Sequence, residues 1–251
     1  DLSYHSGANL VSYFVSPVQD GPFTIENHLV PLFEDGNLYN VLGEENAAQL
    51  INGSFWAGSL TEIAPTDGYW IKIYDADDIT LVAYPNSEQL IYTLHEGSNL
   101  ISFPESEAYY LSDVLPDDIE GTSIYSVLSE DEAALYINGQ WFGALNALEG
   151  FKGYWFKTYD AVEFSFEISD DLSRKPFVEA PVLDGYEYNI STQRAFYFVK
   201  NIPNADIGDW IVAMYNGEVI GTRQWNGEMV DIPVMGYDND AYSEGYIEHG
   251  E

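Results

Sequence analysis

The chain has 251 residues, eight Lys plus Arg against 42 Asp plus Glu, a formal net charge of −34 and no cysteine. A surface of that sign repels nucleic acid and anionic membranes, and the missing thiols exclude disulfide staples, thiolate catalysis and Cys-ligated zinc. Hydrophobic residues at 46 % suffice for packed cores, aromatics at 16 % favour strands over helices, and no apolar run approaches the roughly 20 residues of a membrane span. Self-repulsion of this size needs screening, so a salty or calcium-containing exterior suits the chain. With Asp1 first and no signal peptide, it reads as a mature or trimmed product.

In chain order the first element is "YHSGANLVSY" at 4–13, a β-branched and aromatic strand entered through Gly7. A short helix is expected in "TIENHLVPLF", stopped by its proline. "YNVLGEENAAQLINGSFWAGSL" at 39–60 then holds two apolar runs around Asn52-Gly53. That pair tolerates positive φ and marks a tight hairpin. "DGYWIKIYDA" at 67–76 alternates, with Tyr69, Ile71 and Ile73 on one face and Trp70, Lys72 and Tyr74 on the other.

The same series then returns. "LHEGSNLISF" at 94–103 answers the first strand, "EAYYLSDVLP" the helix, "YSVLSEDEAALYINGQWFGAL" at 125–145 the hairpin and "KGYWFKTYDA" at 152–161 the last strand. The separation is 90 residues at Gly7 and Gly97, 86 at Asn52 and Asn138, and 85 at Gly68 and Gly153. A drifting offset is what two copies show when one loop has been lengthened, here between Asn9 and Tyr39. After "DDLSRKP" at 170–176, a polar linker candidate, comes a third unit with hairpin turns at Asn216-Gly217 and Asn226-Gly227. The expected fold is all-β: two tandem homologous sandwich-like repeats with short helical insertions (1–87 and 88–172), then a small β-sandwich (173–251).

The phrases G-x-N-L-[VI]-S, NG-x-[FW]-x-G-x-L and GYW-x-K resemble a repeat of secreted proteins of marine bacteria and of structural proteins of their phages. The stretch "GDWIVAMYNGEVIGTRQWNGEMVDIPVMGYD" is similar to the module that commonly follows it. The resemblance covers nearly the whole chain and brings no catalytic residues with it. Ala8 and Ser98 stand where that pattern usually has Trp, and similar modules continue past Glu251 with a further strand, which implies an open sheet edge.

Chemistry-bearing residues are few in kind. His5 and His95 occupy equivalent places, so they either meet in a shared metal site or pack, each at the mouth of its strand; no HExxH or His-x-His spacing favours the metal. A G-x-S-x-G elbow, a G-x-G-x-x-G loop and a Walker lysine are all missing. Acidic loops offer hard oxygens to calcium, foremost Asp238, Asn239, Asp240 and Glu244, against the plainer reading of a solvated loop. Trp56 and Trp141, in the paired hairpins, are candidate stacking platforms for a carbohydrate or a partner, against the commoner fate of core packing. The sequons at Asn52 and Asn189 are explained as well by turn chemistry.

Together these point to a non-catalytic extracellular structural protein, a component of a virion or bacterial surface assembly. It would act through contacts with itself or with other surface proteins, with neither nucleic acid nor membrane insertion. The rival expectation is an adhesin or carbohydrate-binding module, aided or not by calcium.

Overall fold

A computed structural model describes residues 2–15, 24–30, 33, 36–82, 84, 89–169, 171–176 and 180–250. The described residues are mostly β, with two one-turn α-helices. Among the described residues no helix is long and apolar enough to cross a membrane.

The first half contains β1 (Leu2–Tyr4), β2 (Gly7–Ser12), α1 (Ile25–His28), β3 (Leu38–Leu42), β4 (Ala47–Ile51), β5 (Phe55–Gly58), β6 (Gly68–Ile73) and β7 (Asp77–Ile79). Its main sheet runs β2-β6-β3-β4-β5, all antiparallel neighbours, with β1 and β7 forming a separate ribbon. The second half contains β8 (Tyr92–Leu94), β9 (Gly97–Ser102), β10 (Tyr109–Tyr110), α2 (Leu111–Val114), β11 (Ile124–Leu128), β12 (Ala133–Ile137), β13 (Gln140–Gly143), β14 (Ala147–Leu148), β15 (Gly153–Thr158) and β16 (Val162–Phe164). Its main sheet runs β9-β15-β11-β12-β13.

The two sheets thus share strand order, and they share register too. Gly7 pairs Ile73 as Gly97 pairs Thr158, and the ladder is interrupted at Leu38/Asn40 as at Ile124/Ser126. Tyr39 stacks on Tyr74 with centroids 4.3 Å apart, and Tyr125 stacks on Tyr159 at the same distance. Both expected helices form, each a single turn; Thr24 caps α1 through Asn27 N–H.

The hairpin turns follow from Asn-Gly chemistry. Asn52, Asn138 and Asn216 sit at φ of 50°, 52° and 51°, each followed by a glycine that also has positive φ. Asn226 departs from expectation. Only Gly227 has positive φ there, while Asn226 Oδ1 accepts from Glu228 N–H, so this is an Asx turn rather than a fourth Asn-Gly hairpin of the same kind.

Each half has its own core. Val11, Val41, Tyr69, Ile71 and Ile73 anchor the first; Phe103, Val127, Tyr154, Phe156 and Phe166 anchor the second. On the opposite face of β6, Trp70 and Lys72 are also buried, because other units pack there. The stretch expected to be a free linker lies against the second half: Lys175 N–H donates to the Ala108 carbonyl, and Leu172 packs on that core.

The remaining unit contains β17 (Arg194–Val199), β18 (Trp210–Tyr215), β19 (Glu218–Gln224) and β20 (Val230–Met235), paired as two ribbons, β17-β20 and β18-β19. Its core is small: Ile220, Met235 and Tyr246, with Tyr188, Ile190 and Tyr215 against them.

Candidate functional site: the joints between units and the Trp141 groove

The repeated histidines mark a reciprocal joint. His5 Nε2 lies 2.7 Å from Glu130 Oε1, and the other oxygen of Glu130 accepts Leu10 N–H at 2.7 Å. His95 Nε2 and Leu100 N–H bind Glu44 in the same two ways. Each half therefore lends a carboxylate to the first strand of the other. In both halves an asparagine fixes the turn carrying the ring, with Asn9 Oδ1 accepting His5 N–H and Asn99 Oδ1 accepting His95 N–H. Ser12 N–H donates to the Phe151 carbonyl and Ser102 N–H to the Thr66 carbonyl, which extends the exchange along both strands. Between the halves Ala8, Leu10, Trp70 and Leu100 form a separate buried cluster.

Electrostatics separates the two histidine pairs. Burial works against a charged His5, but the Glu130 carboxylate outweighs it and lifts the imidazole to about 9. Burial likewise opposes the charge of Glu130, whose pKa is nonetheless lowered by His5 and the Leu10 N–H. His95, held by the Glu96 carbonyl and then by Glu44, is raised as well. Its side chain is 58 % exposed against 43 % for His5.

A second joint seats the third unit on the second half. Asp231 is fully buried, and its carboxylate accepts N–H from Ala133 (3.1 Å) and Ala144 (2.5 Å) and from the Arg223 guanidinium (3.1 Å). Arg223 also donates to the Asp131 carbonyl, and Arg194 donates to the Ser129 carbonyl at 2.8 Å. The Arg194 guanidinium lies 4.5 Å over the Trp70 ring, and burial draws its pKa down to about 10. The Trp70 ring belongs to the first half, so the third unit touches both.

A third joint uses the acids offered to calcium. Lys72, whose side chain is only 5 % exposed, places Nζ 3.0 Å from Asp238 and 2.5 Å from Asp240. Asp238 further accepts from Tyr242 Oη (2.5 Å), Ser243 Oγ (2.7 Å) and Thr192 Oγ1 (3.0 Å). Although burial opposes its charge, the bonds from Tyr242, Ser243 and Lys72 hold its pKa down at about 2. An ammonium thus stands between the two carboxylates. Asn239 takes the left-handed conformation (φ 69°) in the same loop, and Glu244 follows the 3-10 turn Ala241–Ser243 as its cap. Among the described residues no group of three or more His, Cys, Asp or Glu is arranged to hold a metal ion.

The two candidate tryptophans lie on equivalent hairpins, with Trp56 opposite Leu50 and Trp141 opposite Tyr136. Both are half-buried against their own cores. Trp141 meets Tyr136 edge to face at 5.1 Å and donates Nε1–H to Glu120 at 2.7 Å. It also lines an open groove of about 540 Å³ with Gln140, Phe142, Lys200, Glu228 and Met229, between the second half and the third unit. Asn189, the second sequon, donates its side-chain N–H to the Tyr242 carbonyl.

The sequence pointed to both histidines, and to acidic loops as a class, without connecting His5 to Glu130 or His95 to Glu44. The available signal was their joint duplication, since a residue repeated with its partner keeps the same role in both copies. Compared with protein-family models, with curated proteins and with solved structures, the chain matches none.

Proposed function

We propose that the protein is a non-catalytic building block of an extracellular surface assembly, made of one sandwich-like unit used twice about an approximate two-fold axis and capped by a third β-sandwich. The carrying observation is the use made of its reactive side chains. Both strand-mouth histidines, and Glu44, Glu130, Asp231, Asp238, Lys72, Arg194 and Arg223, are engaged in joints that fix one unit on another. Such joints make a rigid block, which suits load and repetition. The outer strand β5 supports assembly: it ends its sheet, and Phe55 on it is 57 % exposed. The acidic exterior keeps unassembled copies apart until salt screens them.

Sedimentation velocity of the purified chain, from low salt to about 0.5 M NaCl where screening reaches only a few ångströms, tests this reading. Defined oligomers or filaments growing with salt are expected; a monomer throughout would overturn self-assembly. The Trp141 groove favours a second reading, a carbohydrate or peptide binder with Trp141 as the stacking surface and Gln140, Lys200 and Glu228 as polar contacts. A glycan array separates the two, because that reading requires a hit that Trp141→Ala removes.

A further inference from the structure

We infer that the paired halves carry two equivalent seats for a third-unit-type β-module, and that the second seat takes another module of that kind through its carboxylates; this rests on the reading of the halves as one unit used twice. The first seat is seen filled. Its elements are the Ala133 and Ala144 N–H groups bound to Asp231, Lys72 bound to Asp238 and Asp240, Trp70 under Arg194, and Gly7 under Tyr242. A Cβ at Gly7 would stand 3.2 Å from the Tyr242 ring, a tight contact, and its φ of 90° favours glycine.

Every one of these elements has its counterpart across the approximate two-fold. Gly58 pairs Ala48 as Gly143 pairs Ala134, so the N–H groups of Ala47 and Ser59 correspond to those of Ala133 and Ala144. Lys157 pairs Ser98 as Lys72 pairs Ala8, and Trp155 pairs Leu100 as Trp70 pairs Leu10. Gly97 keeps positive φ, 111° against 90° for Gly7. On this face a Cβ at Gly97 would meet, among the described residues, only the neighbouring His95, at 4.0 Å.

Exposure agrees with that difference. Trp70 is 3 % and Lys72 4 % exposed, whereas Trp155, Lys157 and Ser98 are only partly buried. Lys157 has no ion pair, and Ala47 and Ser59 N–H no carboxylate partner, among the described residues. A cation and two backbone donors set apart at this spacing call for carboxylates in the arrangement of Asp231 and Asp238.

The occupant follows from charge. The third unit is engaged on the first seat through Asp231, Asp238 and Asp240, so the matching cation and backbone donors of the second seat call for another module of the same chemistry, presenting a β-strand aspartate followed by an acidic, tyrosine-bearing loop.

The probe is a synthetic peptide of residues 229–246, titrated to millimolar concentration into the 15N-labelled full chain. The proposal expects amide shifts clustered at Ala47, Ser59, Gly97 and Lys157, and at least tenfold weaker binding to Lys157→Glu. Lys157→Ala, which changes no charge sign, gives an intermediate loss and guards against misfolding. No shifts, shifts confined to Ala133, Ala144 and Lys72, or unchanged binding to both Lys157 variants would overturn the second seat. The titration reads a seat on the single chain, so its outcome stands apart from whether the chain self-assembles.

Discussion

Replacing Asp231 by alanine tests the joint that holds the third unit. The carboxylate is fully buried and is the acceptor for two backbone N–H groups and one guanidinium. Its removal leaves the Ala133 and Ala144 donors unsatisfied at about 1–3 kcal/mol each, and it leaves Arg223, itself 13 % exposed, with fewer partners. Arg223 keeps the Asp131 carbonyl and, at 3.7 Å, Glu132, so the loss stays below that of an isolated buried charge. The expected destabilisation is about 4 kcal/mol. With a urea slope of about 3 kcal/mol per molar, the midpoint falls by about 1.3 M. Asp231→Asn retains one acceptor oxygen and loses about half as much. Urea unfolding followed by tryptophan fluorescence measures both, since Trp225 is buried in that unit. A shift for the alanine variant under about 0.3 M would mean that the carboxylate does not hold the joint, and the reasoning would fail.

Three further outcomes follow from the other joints. The His5 imidazole titrates near 9 by NMR, and Glu130→Gln returns it towards its ordinary 6.5. Because the folded value of His5 is raised, its stabilisation is complete below 6.5 and is lost as pH rises through about 9; that of Glu130, whose value is lowered, is lost on acidification. Lys72→Met leaves Asp238 buried without its cation, costing about 3–5 kcal/mol by calorimetry and raising the pH of acid unfolding, since the depressed Asp238 contributes stability that disappears as pH falls through about 2. EDTA leaves the melting temperature unchanged, because Lys72 already supplies the positive charge between Asp238 and Asp240; a fall of several degrees would restore calcium to that loop.

Local chemistry was the most legible part of the sequence. Asn52, Asn138 and Asn216 announced their turns because an Asn-Gly pair reaches positive φ wherever it falls. The proline that ends "EAYYLSDVLP" marked the stop of a helical turn, which forms at Leu111–Val114, for similarly local reasons. The joints were harder, because their partners are remote. Lys72 and Asp238 are 166 residues apart, and His5 and Glu130 are 125 apart. In a chain with 42 acids, no acidic loop declares its cation by composition. A rarer signal was available: with only eight Lys and Arg, a lysine set between aromatics in both "GYWIK" and "GYWFK" is an unusual use of positive charge. Burial of both faces of β6 was illegible too, since its alternation of apolar and polar residues fits a half-exposed strand until another unit covers it.

Amide hydrogen exchange at Leu10 and Leu100 probes the interleaving of the halves most directly. Each amide is capped by a glutamate from the opposite half, Glu130 for Leu10 and Glu44 for Leu100. The account predicts that Glu44→Ala speeds exchange at Leu100 and spares Leu10, and that Glu130→Ala does the reverse. Faster exchange confined to the half that carries the substitution, or no change at either amide, would contradict it.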